Sequence, residues 1–116
     1  MTKHTEGPWS RNIPPATKYP TIFAGRNTHV ARVVTRGLPP KEVEANCDLI
    51  AAAPDLLAAL KLASVEIEVQ LGAYIDGNTV GGNLATLDDD AAPEYGRLTR
   101  LSTLCRGAIN RAERVR

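Results

Sequence analysis

The chain has 116 residues, enough for one domain with a small core, and a formal net charge of +1. So even a balance excludes wholesale electrostatic binding to duplex nucleic acid or to a membrane surface. No apolar run approaches the roughly 18 residues of a membrane span, and residues 1–10 are polar where a signal peptide would be apolar, so the expectation is a single cytoplasmic domain spanning residues 1–116.

Prolines at 8, 14, 15, 20, 39 and 40 exclude long helices from the first forty residues and leave short extended pieces between turns. Trp9 follows a Gly-Pro turn and is expected to open a strand, its ring covering a sheet. Thr21-Ile22-Phe23-Ala24 and His29-Val30-Ala31-Arg32-Val33-Val34 are rich in β-branched and aromatic residues. Gly25-Arg26-Asn27-Thr28 separates them and supplies residues that accept positive φ, so residues 21–34 read as a β-hairpin within a sheet of about three strands.

From Pro40 the period changes to three and four, through Val43, Asn46, Cys47 and Ile50, and predicts a short helix. Pro54 is then expected to open a second helix at its first turn, where its missing amide hydrogen costs nothing, with Asp55 suiting the positive end of the dipole. Leu57, Leu60, Ser64, Ile67, Leu71 and Tyr74 carry the pattern to about residue 75, as a helix packed on another helix would. Val65 to Leu71 alternates strictly and suits a strand equally; length and the lack of a breaker decide for helix. Residues 76–93 combine glycines, asparagines and Asp88-Asp89-Asp90, a composition that predicts a mobile loop. A last helix, about 94–114, repeats Leu98, Leu101, Cys105, Ala108, Ala112 and Val115 as a second seam. The fold class is therefore α+β: a small N-terminal antiparallel sheet on two long helices.

No chemistry of catalysis stands out. His4 and His29 are the only histidines, and there is no nucleophile elbow, no zinc spacing and no carboxylate dyad outside the 76–93 loop, so neither an enzyme nor a metal or cofactor site is expected. The three aspartates lack the alternating spacing of a calcium loop, and the Gly-rich piece lacks the lysine of a phosphate loop. Cys47 and Cys105 read as reduced, buried small apolar residues.

The last helix is basic, with Arg97, Arg100, Arg106, Arg111, Arg114 and Arg116 against Glu94 and Glu113, while the middle of the chain is acidic. One reading is that the two surfaces pair across the helices. The other is anion binding: Arg106, Asn110 and Arg114 fall at i, i+4 and i+8, and two guanidinium forks with an amide suit a phosphate and a base edge. Arg26 at the hairpin tip, and Arg32 with His29, add cations. A small phosphorylated ligand fits better than a duplex or a single strand.

Two motifs, His4-Thr5-Glu6-Gly7-Pro8-Trp9 and Asn46-Cys47-Asp48-Leu49-Ile50-Ala51-Ala52-Ala53-Pro54-Asp55-Leu56-Leu57, resemble those of a family of small proteins of bacteriophages and prophages, which implies a phage accessory protein. The overall plan also resembles phage counter-defence sponges that block Thoeris signalling by sequestering a nucleotide immune signal without cleaving it. That resemblance implies a cyclic ADP-ribose isomer or cyclic nucleotide as ligand and a homo-oligomer, with Arg26, Asn27, Arg106, Asn110 and Arg114 at the ligand and Tyr19 or Tyr95 stacking on it. The competing class is a protein-binding inhibitor of a host defence complex, similar in role to anti-CRISPR proteins; a third is an assembly accessory.

Overall fold

The computed structural model describes residues 4–12, 20–25, 28–33 and 36–114. In chain order these form strands β1 (Trp9–Asn12), β2 (Thr21–Ala24) and β3 (Thr28–Arg32), helix α1 (Pro40–Asn78), two short 3-10 turns (Leu84–Thr86 and Asp89–Ala91) and helix α2 (Ala92–Ala112). The fold is α+β. Packing separates one unit ending at Ala58 from a second beginning at Ala59, the boundary falling within α1.

In the first unit the sheet is antiparallel in the order β1-β2-β3. Trp9 pairs with Ala24 and Asn12 with Thr21; on the other side Thr21 pairs with Arg32 and Ala24 with Thr28. The hairpin turns at Gly25, whose φ of +68° is one that a side chain disfavours. Pairing slips by one residue between Ile22 and Phe23, because Ala31 faces Ile22 while His29 faces Phe23. The extra residue is Val30, and the bulge turns Val30 and Ala31, neighbours in sequence, toward the same side. Both pack on the core of Ile22, Val33, Val43 and Cys47, together with Trp9, Ile50 and Ala51. The helical contribution follows the 3.6-residue period, Val43, Cys47, Ile50 and Ala51 sharing a stripe, whereas Asn46 is exposed. Outside this core, Arg11 of β1 spans to α1, reaching Glu44 at 3.0 Å and Asp48 at 2.7 Å.

The expected helix break at Pro54 does not occur. Pro54 lies inside one helix of 39 residues, about 58 Å long at about 1.5 Å per residue. A proline removes the amide that would bond to the Ile50 carbonyl and crowds that carbonyl, at roughly 3 kcal/mol, but its fixed φ is helical. Ala51-Ala52-Ala53 before it and Leu56-Leu57-Ala58-Ala59-Leu60 after it are strong helix formers that offset the loss. The alternating stretch Val65–Leu71 is helical too.

In the second unit α1 and α2 run antiparallel. Lys61 Nζ donates to Glu113 Oε2 at 2.6 Å, Glu68 accepts from Ser102 and Arg106, and the Tyr74 hydroxyl donates to the Ala91 carbonyl at 3.3 Å. Leu60, Ser64, Ile67, Leu71 and Tyr74 are half-buried, and on α2 Leu98 and Ser102 are buried with Leu101, Cys105 and Ala108 half-buried. The segment between the helices, read from composition as a loop, carries structure of its own. Val80 bridges to Asn83 across Gly81 and Gly82, which both take positive φ, and Asn83 Oδ1 accepts from the Ala85 amide. Thr86 Oγ1 accepts from the Val80 amide at 2.7 Å and donates to the Asn83 carbonyl at 2.6 Å.

Candidate functional site

The N-terminal box folds back on itself and onto α1. Trp9 Nε1 donates to the Thr5 carbonyl at 3.2 Å, His4 Nδ1 lies 3.0 Å from that same oxygen, and the His4 ring stands edge-on to Trp9 at 6.4 Å between centroids. The Gly7–Pro8 peptide is cis. Gly7 rests directly on Pro54: a Cβ at position 7 would stand 2.7 Å from Pro54 Cβ and 3.1 Å from Pro54 Cγ. The two sequence motifs therefore meet at one contact, between Gly7 and Pro54, 47 positions apart in the chain, with Trp9 reaching on into the core. Gly7→Ala is expected to cost about 1–3 kcal/mol, since neither the helix nor the proline ring gives way easily. Urea unfolding followed by the emission of Trp9, the one tryptophan, measures it; an unchanged midpoint and emission would show that the box does not sit on Pro54.

The second candidate region is the basic helix. Glu68 of α1 receives the Arg106 guanidinium and the Ser102 hydroxyl, and Arg106 Nη2 lies 3.4 Å from Ser102 Oγ. The Ser102 hydrogen bond first, and Arg106 second, hold the Glu68 carboxyl below its usual range. A carboxyl lowered in the folded state stabilises the fold above its unfolded value, and that contribution disappears as pH falls through the folded one. Glu68→Gln, which keeps an acceptor for Ser102 and removes the charge, should therefore narrow the gap to the parent as pH falls from 7 to about 3; a gap independent of pH would show that the ion pair is not formed.

Four of the seven residues of the expected anion site lie among the described residues: Tyr95, Arg106, Asn110 and Arg114. Arg106 and Asn110 stand on adjacent turns of α2, both exposed. Arg114 lies beyond the helix, which ends at Ala112 with Glu113 as its cap, so the i+8 relation to Arg106 is lost. Tyr95 is half-buried and eleven residues before Arg106, about 16 Å along the axis. Tyr19, Arg26 and Asn27 lie outside the described residues. Arg32 is exposed, and His29 packs edge-on against Phe23 at 4.7 Å between centroids.

Two arginines of the basic helix stand outside the expected anion site, Arg100 and Arg111. The 100° step places them about 200° and 220° around α2 from the buried Leu98, on its outer face, with the 63% exposed Leu104 between them. Neither makes an ion pair among the described residues, whereas Arg97 is held by Glu94 and Arg106 by Glu68. The available signal was their phase relative to Leu98.

A depression lined by Tyr74, Asn78, Asp88, Asp89, Asp90 and Ala91 is acidic and unsuited to a phosphate. Among the described residues no group of three His, Cys, Asp or Glu side chains has the arrangement to hold a metal ion, and no helix is long and apolar enough to cross a membrane. Cys47 and Cys105 are free thiols, and burial pushes the Cys47 thiol up.

A family model described as Salmonella phage P22 protein Y8K6 matches residues 1–114. No curated protein and no solved structure matches the chain.

Proposed function

The chain belongs to this phage P22 protein family, and on that premise we propose that it is a homo-oligomeric phage accessory protein that inhibits a host protein by docking the outer face of α2 on an acidic surface of that target. The observation that carries this reading is that Arg100 and Arg111, which make no ion pair among the described residues, flank the exposed Leu104 on the outer face of α2. Arginine beside an exposed large apolar side chain is the composition of a protein-docking patch, where guanidinium forks meet carboxylates around a desolvated centre.

Sequestration of a cyclic nucleotide draws less support. It asks Arg106 to exchange an intramolecular carboxylate for a phosphate, and it asks Arg114 to act from outside the helix. Protein docking asks for no such exchange, and it needs no catalytic group.

The test pairs two measurements on the purified protein. Native mass spectrometry with a panel of cyclic nucleotides and cyclic ADP-ribose isomers is expected to show no bound ligand; a stoichiometric, unmodified ligand would overturn the reading in favour of sequestration. Capture of a host protein by the parent should be lost in Arg100→Glu/Arg111→Glu, with helical circular dichroism unchanged. Equal capture by that variant would remove α2's outer face from the function.

A further inference from the structure

Helix α1 carries two heptad seams, and α2 covers one of them. The covered seam is Leu60, Ser64, Ile67, Leu71 and Tyr74, all half-buried. The second is Leu62, Val65, Val69 and Gly72, again at alternating steps of three and four, about 100–200° around the helix from the first. Leu62 is 75% exposed, Val65 64% and Val69 61%. Branched apolar side chains at heptad spacing on an exposed helix face are what a second helix requires, because only an interlocking helix fills every hole along such a line. Isolated exposed leucines are ordinary; three large apolar residues in two turns at this spacing are a continuous stripe.

The charges beside the stripe say which helix fits. With Leu62 and Val69 as the a positions and Val65 and Gly72 as the d positions, Lys61 falls at g and Glu66 at the following e. In a parallel, in-register pair the g residue of one helix meets the e residue five positions on in the other. A copy of α1 would therefore bring Lys61 beside the partner's Glu66 twice, once on each side. At this level the face is complementary to itself, Lys61 opposite Glu66 with the apolar stripe between; one heptad on, Glu68 at g meets Ala73 at e and is already paired with Arg106 within the chain. Gly72 at d and Ala73 beside it let the two backbones approach, and Asp76 at the next a position ends the apolar stripe. Lys61 donates to Glu113 within the chain, and exchange between two exposed carboxylates costs little.

From this we propose that α1 forms a parallel two-stranded coiled coil with α1 of a second copy of this chain, through Leu62, Val65, Val69 and Gly72. The pairing rests on the reading that the protein is homo-oligomeric and names the surface that makes it so. It uses the side of α1 away from α2, so it leaves Arg100, Leu104 and Arg111 free for a different partner. A two-fold pair of this kind closes on itself and does not propagate.

Sedimentation equilibrium across about 1–100 μM is expected to give the mass of two chains for the parent. Leu62→Asp/Val65→Asp should weaken association on the order of a hundredfold, because two carboxylates per chain would enter the seam, while circular dichroism and Trp9 emission stay as in the parent. Leu104→Asp should leave the dimer intact. A second measurement does not depend on the disrupting variant: Val65→Cys with Cys105→Ser should form an intermolecular disulfide under mild oxidation, because d positions of a parallel pair bring equivalent Cβ atoms together. A dimer that survives Leu62→Asp/Val65→Asp with no Val65→Cys cross-link would reject the seam and keep the oligomer. A monomeric parent across the range would reject both.

Discussion

Ile22→Ala is expected to lower stability by about 2–5 kcal/mol, from a total on the order of 5–15 kcal/mol. Ile22 is fully buried on the central strand, and its contacts come from β3, from Val33 just beyond it, and from Val43 and Cys47 one turn apart on α1. Four buried residues make up this cluster, so the neighbours have little freedom to close a cavity left by a δ-methyl and both γ-carbons. Phe23→Ala makes the control. Phe23 is next in sequence but half-buried, its ring against His29, so its loss should be smaller. Urea titration of the parent and both variants, read by Trp9 emission and by circular dichroism, gives the comparison. A midpoint for Ile22→Ala within about 1 kcal/mol of the parent, or a larger loss for Phe23→Ala, would contradict the assignment of the core face.

Leu98→Asp should be at least as damaging to the helical unit, with loss of cooperative unfolding and of helical signal. Leu98 is 4% exposed on α2, and the two arginines of that helix with ion pairs are already committed, Arg97 to Glu94 and Arg106 to Glu68. Burial of an unpaired charge costs several kcal/mol, more than a helical hairpin with so few fully buried side chains can absorb. Leu104→Asp, six residues on and facing outward, is expected to change stability by no more than about 0.5 kcal/mol. The ratio of the two effects tests the rotation of α2 about its axis. Comparable losses at both positions would mean that the helix is turned from the orientation described here.

Much of the architecture was readable in the amino-acid order because its cues are local. The β-branched runs on either side of Gly25 predict a hairpin, and the switch to three-four spacing after Pro40 predicts helix. Length decides the ambiguous Val65–Leu71 stretch correctly, because a strand there would have interrupted an otherwise unbroken helical pattern. The bulge at Val30 left no such cue, since slipping one residue in a ladder depends on which side chains the core can accept.

Pro54 shows where local rules stop. Read alone, a proline after three alanines marks a boundary; inside a helix with strong formers on both sides it removes one hydrogen bond and leaves the path open. Its ring then serves as a contact, because Gly7 has no side chain to keep the N-terminal box away. Neither motif predicts the other, and only the folded chain brings them together. The arginines follow the same logic. Their number on α2 is plain in the sequence, but a charge count carries no phase. Leu98 and Ser102 set which side of α2 is buried, and that orientation turns Arg106 toward Glu68 and Arg100 and Arg111 toward solvent.

Composition, turn residues and apolar period, each an effect of a few neighbouring residues, thus determine the α+β class, the order of the elements and the near-neutral charge. The contact between Gly7 and Pro54, the commitment of Arg106 to Glu68 and the exposure of one of two seams on a single helix were decided by tertiary packing, because each depends on which face of an element finds a partner distant along the chain.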